Sequence, residues 1–240
     1  MNIKKFTRPA RKLIKLQRCG AVIVAAGNAS RMGGIDKTVV DLKGKPLIQR
    51  TVEVFQNCDA IKEIVVVTRE DLLVQVMGLC RNMDKVQAVV AGGANRQESV
   101  KAGVNALSSK VKLVAIHDGA RPMITWEVID RAVRAANSYG AAAPAIAVKD
   151  TIKEARGGVV ISTPDRSRLQ AVQTPQVFDK DLLLAAMKKV EQEGAEVTDD
   201  CSAVELLGMS VKLVQGDERN LKVTTPLDLK IAEMLLEETL

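Results

Sequence analysis

The 240-residue sequence predicts an α/β domain, doubly wound about a mostly parallel sheet, and three observations carry that reading. Short runs of continuously apolar residues alternate with segments of helical period. The alternation repeats four times before it breaks, the pattern of βαβ units joined by right-handed crossovers. The composition, 47% apolar and 27% charged, is that of a globular chain able to bury a full core.

AVIVAA (21–26), EIVVVT (63–68), VQAVVA (86–91), KLVAIH (112–117) and AAAPAIAV (141–148) are apolar throughout rather than alternating, so each reads as a strand buried on both faces. Between them, 46–57, 70–82, 97–107 and 125–138 place apolar residues at three-to-four spacing and read as helices. The pattern stops after Val148. Residues 149–178 hold two short β-like pieces around Gly157–Gly158, then a polar, proline-punctuated stretch. Such a segment buries no core of its own, so it is predicted as a β-hairpin arm that projects from the sheet and rests on a partner surface. Helical period returns at 179–193, a strand fits 210–215, and a last helix spans 226–238. The expected organisation is a basic extension over 1–18 and one domain over 19–240.

The net charge of +6 is concentrated at one end. Lys4, Lys5, Arg8, Arg11, Lys12, Lys15 and Arg18 stand in the first 18 residues without an acid, and without these seven charges the rest of the chain carries −1. The basicity therefore belongs to a terminal segment, read as a flexible solvated extension; an anion- or lipid-docking arm and an organelle-targeting peptide are the alternatives. With only 2% aromatic residues, base stacking on aromatic platforms is not expected, and no nucleic-acid partner is predicted. No apolar run approaches the roughly 18 residues of a membrane span. Cys19, Cys58, Cys80 and Cys201 are scattered and His117 is the one histidine, which argues against a Cys/His zinc site or a disulfide framework and fits a reducing cytoplasm.

In open α/β sheets ligands bind beyond the carboxyl ends of the strands. After the first strand come Gly27, Asn28, Ala29, Ser30, Arg31 and Lys37; after the third, Gly92, Gly93, Arg96 and Ser99; after the fourth, His117, Asp118, Gly119, Ala120 and Arg121; after the fifth, Asp150 and Thr151. A loop of small residues presents successive backbone N–H groups as an anion nest, and Arg31 and Lys37 would neutralise phosphate oxygens there. A carboxylate just past a strand end, Asp118, is the usual holder of the divalent metal that accompanies a polyphosphate. Taken alone, the loop reads equally as a plain strand–helix turn, His117 as a locally bonded strand-end histidine, and Asp118 as a turn cap. The glycine spacing fits neither a dinucleotide fingerprint nor a P-loop.

AAGNASRMGGIDK (25–37) resembles the signature of sugar nucleotidyltransferases. GGANRQESV, HDGARP, KDTIK, TPDRSRLQAVQTPQVF, VTDDCSAVE and GDERNLKVTTPLDL, in this order, resemble the 2-C-methyl-D-erythritol 4-phosphate cytidylyltransferase family from about residue 20 to 236. The resemblance implies a Rossmann-like nucleotidyltransferase fold, and transfer of cytidylyl from CTP to methylerythritol 4-phosphate with release of pyrophosphate. It implies Arg31 and Lys37 as transition-state cations and Asp118 as the Mg²⁺ ligand. Ala25, Ala26, Gly27, Asn28, Gly92, Gly93 and Ser99 would line the nucleotide. Arg121, Thr151, Arg166, Thr174, Thr198 and Lys222 would surround the polyol phosphate. The arm would cross a homodimer, so that Arg166 serves the neighbouring subunit. Ala29, Asp36 and Gly119 depart from the family pattern. Lys222 stands where many relatives carry an acid, and Asp217 is the nearby candidate for a second metal ligand. A ribitol 5-phosphate cytidylyltransferase and a nucleotide-sensing module without turnover are the rival readings.

Overall fold

A computed structural model describes residues 15–27 and 38–237 of the chain. The expected alternation is present: β1 (Cys19–Ala25), α1 (Leu47–Asn57), β2 (Ile61–Thr68), α2 (Leu73–Cys80), β3 (Val86–Ala91), α3 (Arg96–Ala106), β4 (Leu113–Asp118), α4 (Trp126–Tyr139) and β5 (Ala141–Ala147). There follow β6 (Glu154–Arg156), β7 (Val159–Ser162), β8 (Gln170–Val172), β9 (Gln176–Asp179), α5 (Lys180–Glu193), α6 (Asp200–Leu206), β10 (Lys212–Gln215) and α7 (Pro226–Glu237).

The central sheet runs β10–β5–β9–β4–β1–β2–β3, with β8 against the outer half of β5. Its strands are parallel except β8 and β9. The continuously apolar runs follow from helices on both faces. Ala21 and Ile23 of β1 face the core built with α1, α2 and α4, whereas Val22 faces the core built with α3, α5 and α6. A third, smaller cluster packs α7 onto Leu42, Leu47 and Val223.

The extent of the arm needs correction. β6 and β7 form a separate two-stranded hairpin with every residue exposed, so the projecting part is short. Residues 170–178, assigned to the arm from sequence, return to the central sheet. Val177 and Phe178 are fully buried between β4 and β5. A four-residue strand amid prolines and glutamines is too short to show a period, which is why it escaped notice. Helix α6 was also unforeseen. It starts on a capping box in which Asp199 accepts from Ser202 N–H and the Ser202 hydroxyl accepts from Asp199 N–H.

The end of the basic segment joins the fold. Leu16 packs on the core, Gln17 N–H donates to Asn137 Oδ1 at 3.1 Å, and Arg18 Nη2 lies 3.0 Å from Glu63 Oε1.

Candidate active site

A cleft of about 490 Å³ opens at the carboxyl ends of β1 to β4. The β1 end contributes Val24 to Gly27, and the segment after β3 contributes Gly92 to Arg96 with Ser99. The β4 end supplies Asp118, Gly119 and Ala120, and Lys222 reaches in from the segment before α7. Gly27 and Thr38, which flank residues 28–37, both line the cleft, and Thr38 Oγ1 donates to Ala25 O at 3.2 Å. Asn28, Arg31 and Lys37 lie outside the described residues.

The glycines of the β3 loop are dictated by contact. A Cβ on Gly92 would stand 2.4 Å from Ala26 Cβ, and one on Gly93 would stand 2.3 Å from Glu98 Cβ. The loop is tied down by Ser99, whose hydroxyl accepts from Gly93 N–H at 3.1 Å and donates to Asn95 O at 2.9 Å. Asn95 caps α3 by accepting from Glu98 N–H, so the helix opens at the cleft wall with N–H groups available to an anion. Gly119 is explained in the same way. A methyl there would sit 2.8 Å from Ile48 Cδ1 and 2.9 Å from Ala25 Cβ.

Asp118 is the electrostatic centre, buried to 8% exposure. Lys222 Nζ lies 3.1 Å and Arg121 Nε 3.3 Å from its Oδ2. Burial alone would raise its pKa, but Lys222, Arg121 and Arg96 together outweigh that and hold it at about 2. The carboxylate is therefore ionised at every physiological pH. Its backbone is positioned too, since Asp118 N–H donates to Thr174 Oγ1 at 3.1 Å. Thr174 in turn meets His117 Nδ1 at 2.9 Å. The Arg121 carbonyl, 3.3 Å from Nε2, can only accept, so the neutral imidazole carries its proton on Nε2 and Nδ1 accepts from the Thr174 hydroxyl. Burial pushes His117 down to about 3, so it is a neutral linker, not a base.

The substrate residues suggested by the resemblance fall into two groups. Lys222 and Arg121 meet at Asp118, and Thr174 lies just below with its hydroxyl engaged. Lys222 is held by its neighbours: Asn220 Nδ2 donates to Thr174 O, Arg121 Nη1 donates to Asn220 O, and Val223 N–H donates to Ala120 O. Thr151, Arg166 and Thr198 are exposed and do not line this cleft. Arg166 Nη1 donates to Lys149 O, and Thr198 stands on the loop entering α6. Asp217, the candidate for a second metal ligand, pairs with Arg219 and lines a separate groove beside Arg131. Arg96, which the sequence places after the third strand without a role, lines the cleft, and its Nη2 pairs with Asp200 Oδ2 at 2.7 Å.

A strand end of small residues at β1, a capped helix at the β3 loop and an ionised acid ringed by cations mark an α/β protein with a cleft suited to phosphate groups. Comparison narrows this. Residues 19–238 match the family model of 2-C-methyl-D-erythritol 4-phosphate cytidylyltransferase (IspD), and the chain belongs to that family. It is 44% identical over 219 residues to the enzyme of that name from Symbiobacterium thermophilum, covering 90% of this chain and 92% of the relative. Identity to the Caldanaerobacter subterraneus protein of the same name is 43% over 228 residues, covering 91% of this chain and 98% of that one. The 4-diphosphocytidyl-2C-methyl-D-erythritol synthase structure from Anaerococcus prevotii superposes with a TM-score of 0.85 at 30% identity, covering 93% of this chain and 98% of that one. That from Thermus thermophilus gives 0.76 at 31% identity, with 90% and 98% covered.

Proposed function

We propose that the chain transfers the cytidylyl group of CTP to 2-C-methyl-D-erythritol 4-phosphate. A phosphate oxygen of the polyol attacks the α-phosphorus, a new P–O bond forms, and the bond to the β-phosphate breaks to release pyrophosphate. The observation that carries the reading is ionised Asp118 on the floor of a cleft lined by Lys222 and Arg96, with Arg121 paired to the same carboxylate, in a chain of this family. The attacking phosphate is already ionised near neutrality, so no general base is required. That agrees with the one histidine being buried and neutral. What the displacement needs is in-line placement and neutralisation of developing charge. Lys222 and Arg121 suit the acceptor phosphate, and Arg31 and Lys37 suit the triphosphate.

The site fits Mg²⁺. Among the described residues no group of three or more His, Cys, Asp or Glu could hold a metal, so an ion at Asp118 would take its other ligands from the triphosphate and water, as Mg²⁺ commonly does. Bound there, Mg²⁺ would neutralise triphosphate charge. Lys222, now on Asp118 Oδ2, would be released toward the acceptor phosphate.

The hairpin supports a homodimer. Val159, Val160 and Ile161 are 69%, 55% and 58% exposed on β7, an apolar face that a second copy would bury. Thr151 and Arg166, absent from the cleft of their own chain, would then serve the partner. A cytoplasmic enzyme fits four unpaired cysteines, and among the described residues no helix is long and apolar enough to cross a membrane.

The test is pyrophosphate release from CTP and Mg²⁺ with methylerythritol 4-phosphate or ribitol 5-phosphate. Release with the first alone is expected. Release with ribitol phosphate alone would overturn the acceptor, and release with neither would overturn the activity.

A further inference from the structure

The reaction described above leaves a buried acid without a role. Asp200 is 3% exposed and meets Arg96 Nη2 at 2.7 Å. Burial pushes its pKa up, against the opposing pull of Arg96. Desolvating an ion pair costs energy that its attraction often fails to return, so stability is a weak reason to keep one here. What the pair does is hold a guanidinium in the cleft wall. Arg96 is the first residue of α3, follows directly on the nucleotide loop, and exerts its charge on Asp118. Among the described residues Asp200 is its one ion-pair partner, and a guanidinium carries five N–H donors in a rigid fork. Donors thus remain on a side chain that lines the cleft.

Asp200 is itself fixed from the sheet. Its N–H and that of Cys201 donate to Gln176 Oε1 at 3.0 and 3.2 Å, while Gln176 Nε2 donates to Asp199 Oδ2 at 2.7 Å. β9 therefore fixes the first turn of α6, α6 fixes Asp200, and Asp200 fixes Arg96.

We infer that Arg96 is a further nucleotide-binding residue, donating to an oxygen of bound CTP, and that Asp200 is its positioning residue. This rests on the cytidylyltransferase reading. The experiment is calorimetric titration of Mg²⁺–CTP into the wild type, Arg96→Ala, Arg96→Lys, Asp200→Asn and the Arg96→Ala/Asp200→Asn double variant. Glu63→Gln is the control. Glu63 is a carboxylate of similar exposure, paired with the more exposed Arg18 at 3.0 Å, but at the amino end of the sheet.

Arg96→Ala and Asp200→Asn should each weaken CTP binding at least about tenfold, the loss of one charge-assisted contact. The double variant should be no weaker than Arg96→Ala, because Asp200 acts through Arg96. Lysine should recover only part of the affinity, since it lacks the fork. Glu63→Gln should lower Tm yet bind CTP within about twofold of wild type, separating positioning from stability. Wild-type binding together with unchanged binding by Arg96→Ala overturns the inference alone, as does an additive loss in the double variant. No binding by the wild type overturns the functional reading and this inference with it.

Discussion

Lowering the pH from 7.5 to 5.0 should cost the fold about 2 kcal/mol through His117 alone. The folded chain keeps this imidazole neutral: it is fully buried, tilted against the Phe55 ring at 4.8 Å, accepts from Thr174 at Nδ1 and donates from Nε2 to Arg121 O. Burial pushes its pKa to about 3, whereas the unfolded chain takes up the proton near 6.5. A base with a depressed folded pKa contributes its full stability above 6.5 and loses it as the pH falls toward about 3. Each pH unit inside that window is worth about 1.4 kcal/mol, and about 1.5 units of it lie above pH 5. Asp118 adds nothing to the difference. Its pKa is lowered from 3.8 to about 2, so its contribution is whole above the unfolded value and is lost only toward pH 2. Asp200, raised by burial, works in the opposite direction and is common to wild type and variant. The comparison with His117→Asn removes that complication, because any cavity cost appears at both pH values and cancels. Urea unfolding at fixed protein concentration, pH 7.5 and 5.0, reads the difference. The variant should lose about 2 kcal/mol less than wild type over this interval. A variant that keeps the whole wild-type loss would refute the buried neutral imidazole.

Lys37→Ala should lower kcat by roughly 10²- to 10³-fold with Tm unchanged, the scale of removing one transition-state charge contact; near-normal turnover would take Lys37 off the catalytic list. Gly92→Ala puts a methyl 2.4 Å from Ala26 Cβ and 2.7 Å from Ser99 Oγ, so CTP affinity should fall roughly tenfold and stability by about 1–3 kcal/mol. Calorimetry and urea unfolding measure the two losses, and wild-type values for both would contradict the crowding. Val160→Glu should turn a dimer into monomers by light scattering. Mixing Arg166→Ala with Arg31→Ala subunits should regain turnover from one intact site per mixed dimer, and stable mixed dimers without activity would refute the exchanged arm.

The parallel part of the sheet was legible because burial on both faces leaves a sequence mark: β1 to β5 are runs of Val, Ile and Ala bracketed by loops. The strand-end rule then found Gly92, Gly93, Ser99, Asp118 and Arg121 without any contact information. It was silent about what secures them. That Thr174 holds the Asp118 backbone, that Asp200 holds Arg96, and that Asn220 braces the segment carrying Lys222 are contacts across 56, 104 and 46 positions of chain. No local period encodes such pairs. Gly119 shows the same limit from the other side, since in sequence it is a departure from a motif, and only packing against Ile48 and Ala25 makes it a requirement.

The reversal of β9 explains most of what was missed. The rule inspects residues that follow each strand, which is correct for parallel strands, whose carboxyl ends share one edge. β9 runs antiparallel to β4, with Gln176 opposite Ile116, so its amino end lies at the cleft edge. The relevant residues are therefore those that open or precede the strand. Gln173 receives Asp217 N–H and Asn220 Nδ2 and so docks the segment leading to Lys222, Thr174 holds Asp118, and Gln176 anchors the α6 turn that carries Asp200. A parallel strand in this place would have delivered Asp179 and Lys180 to the cleft instead. One inverted strand thus converts QTPQ, which reads as a polar linker, into the brace beneath Asp118, Arg96 and Lys222 together. Substitutions in it should disturb nucleotide and acceptor binding at once, whereas changes in the β3 loop should disturb the nucleotide alone.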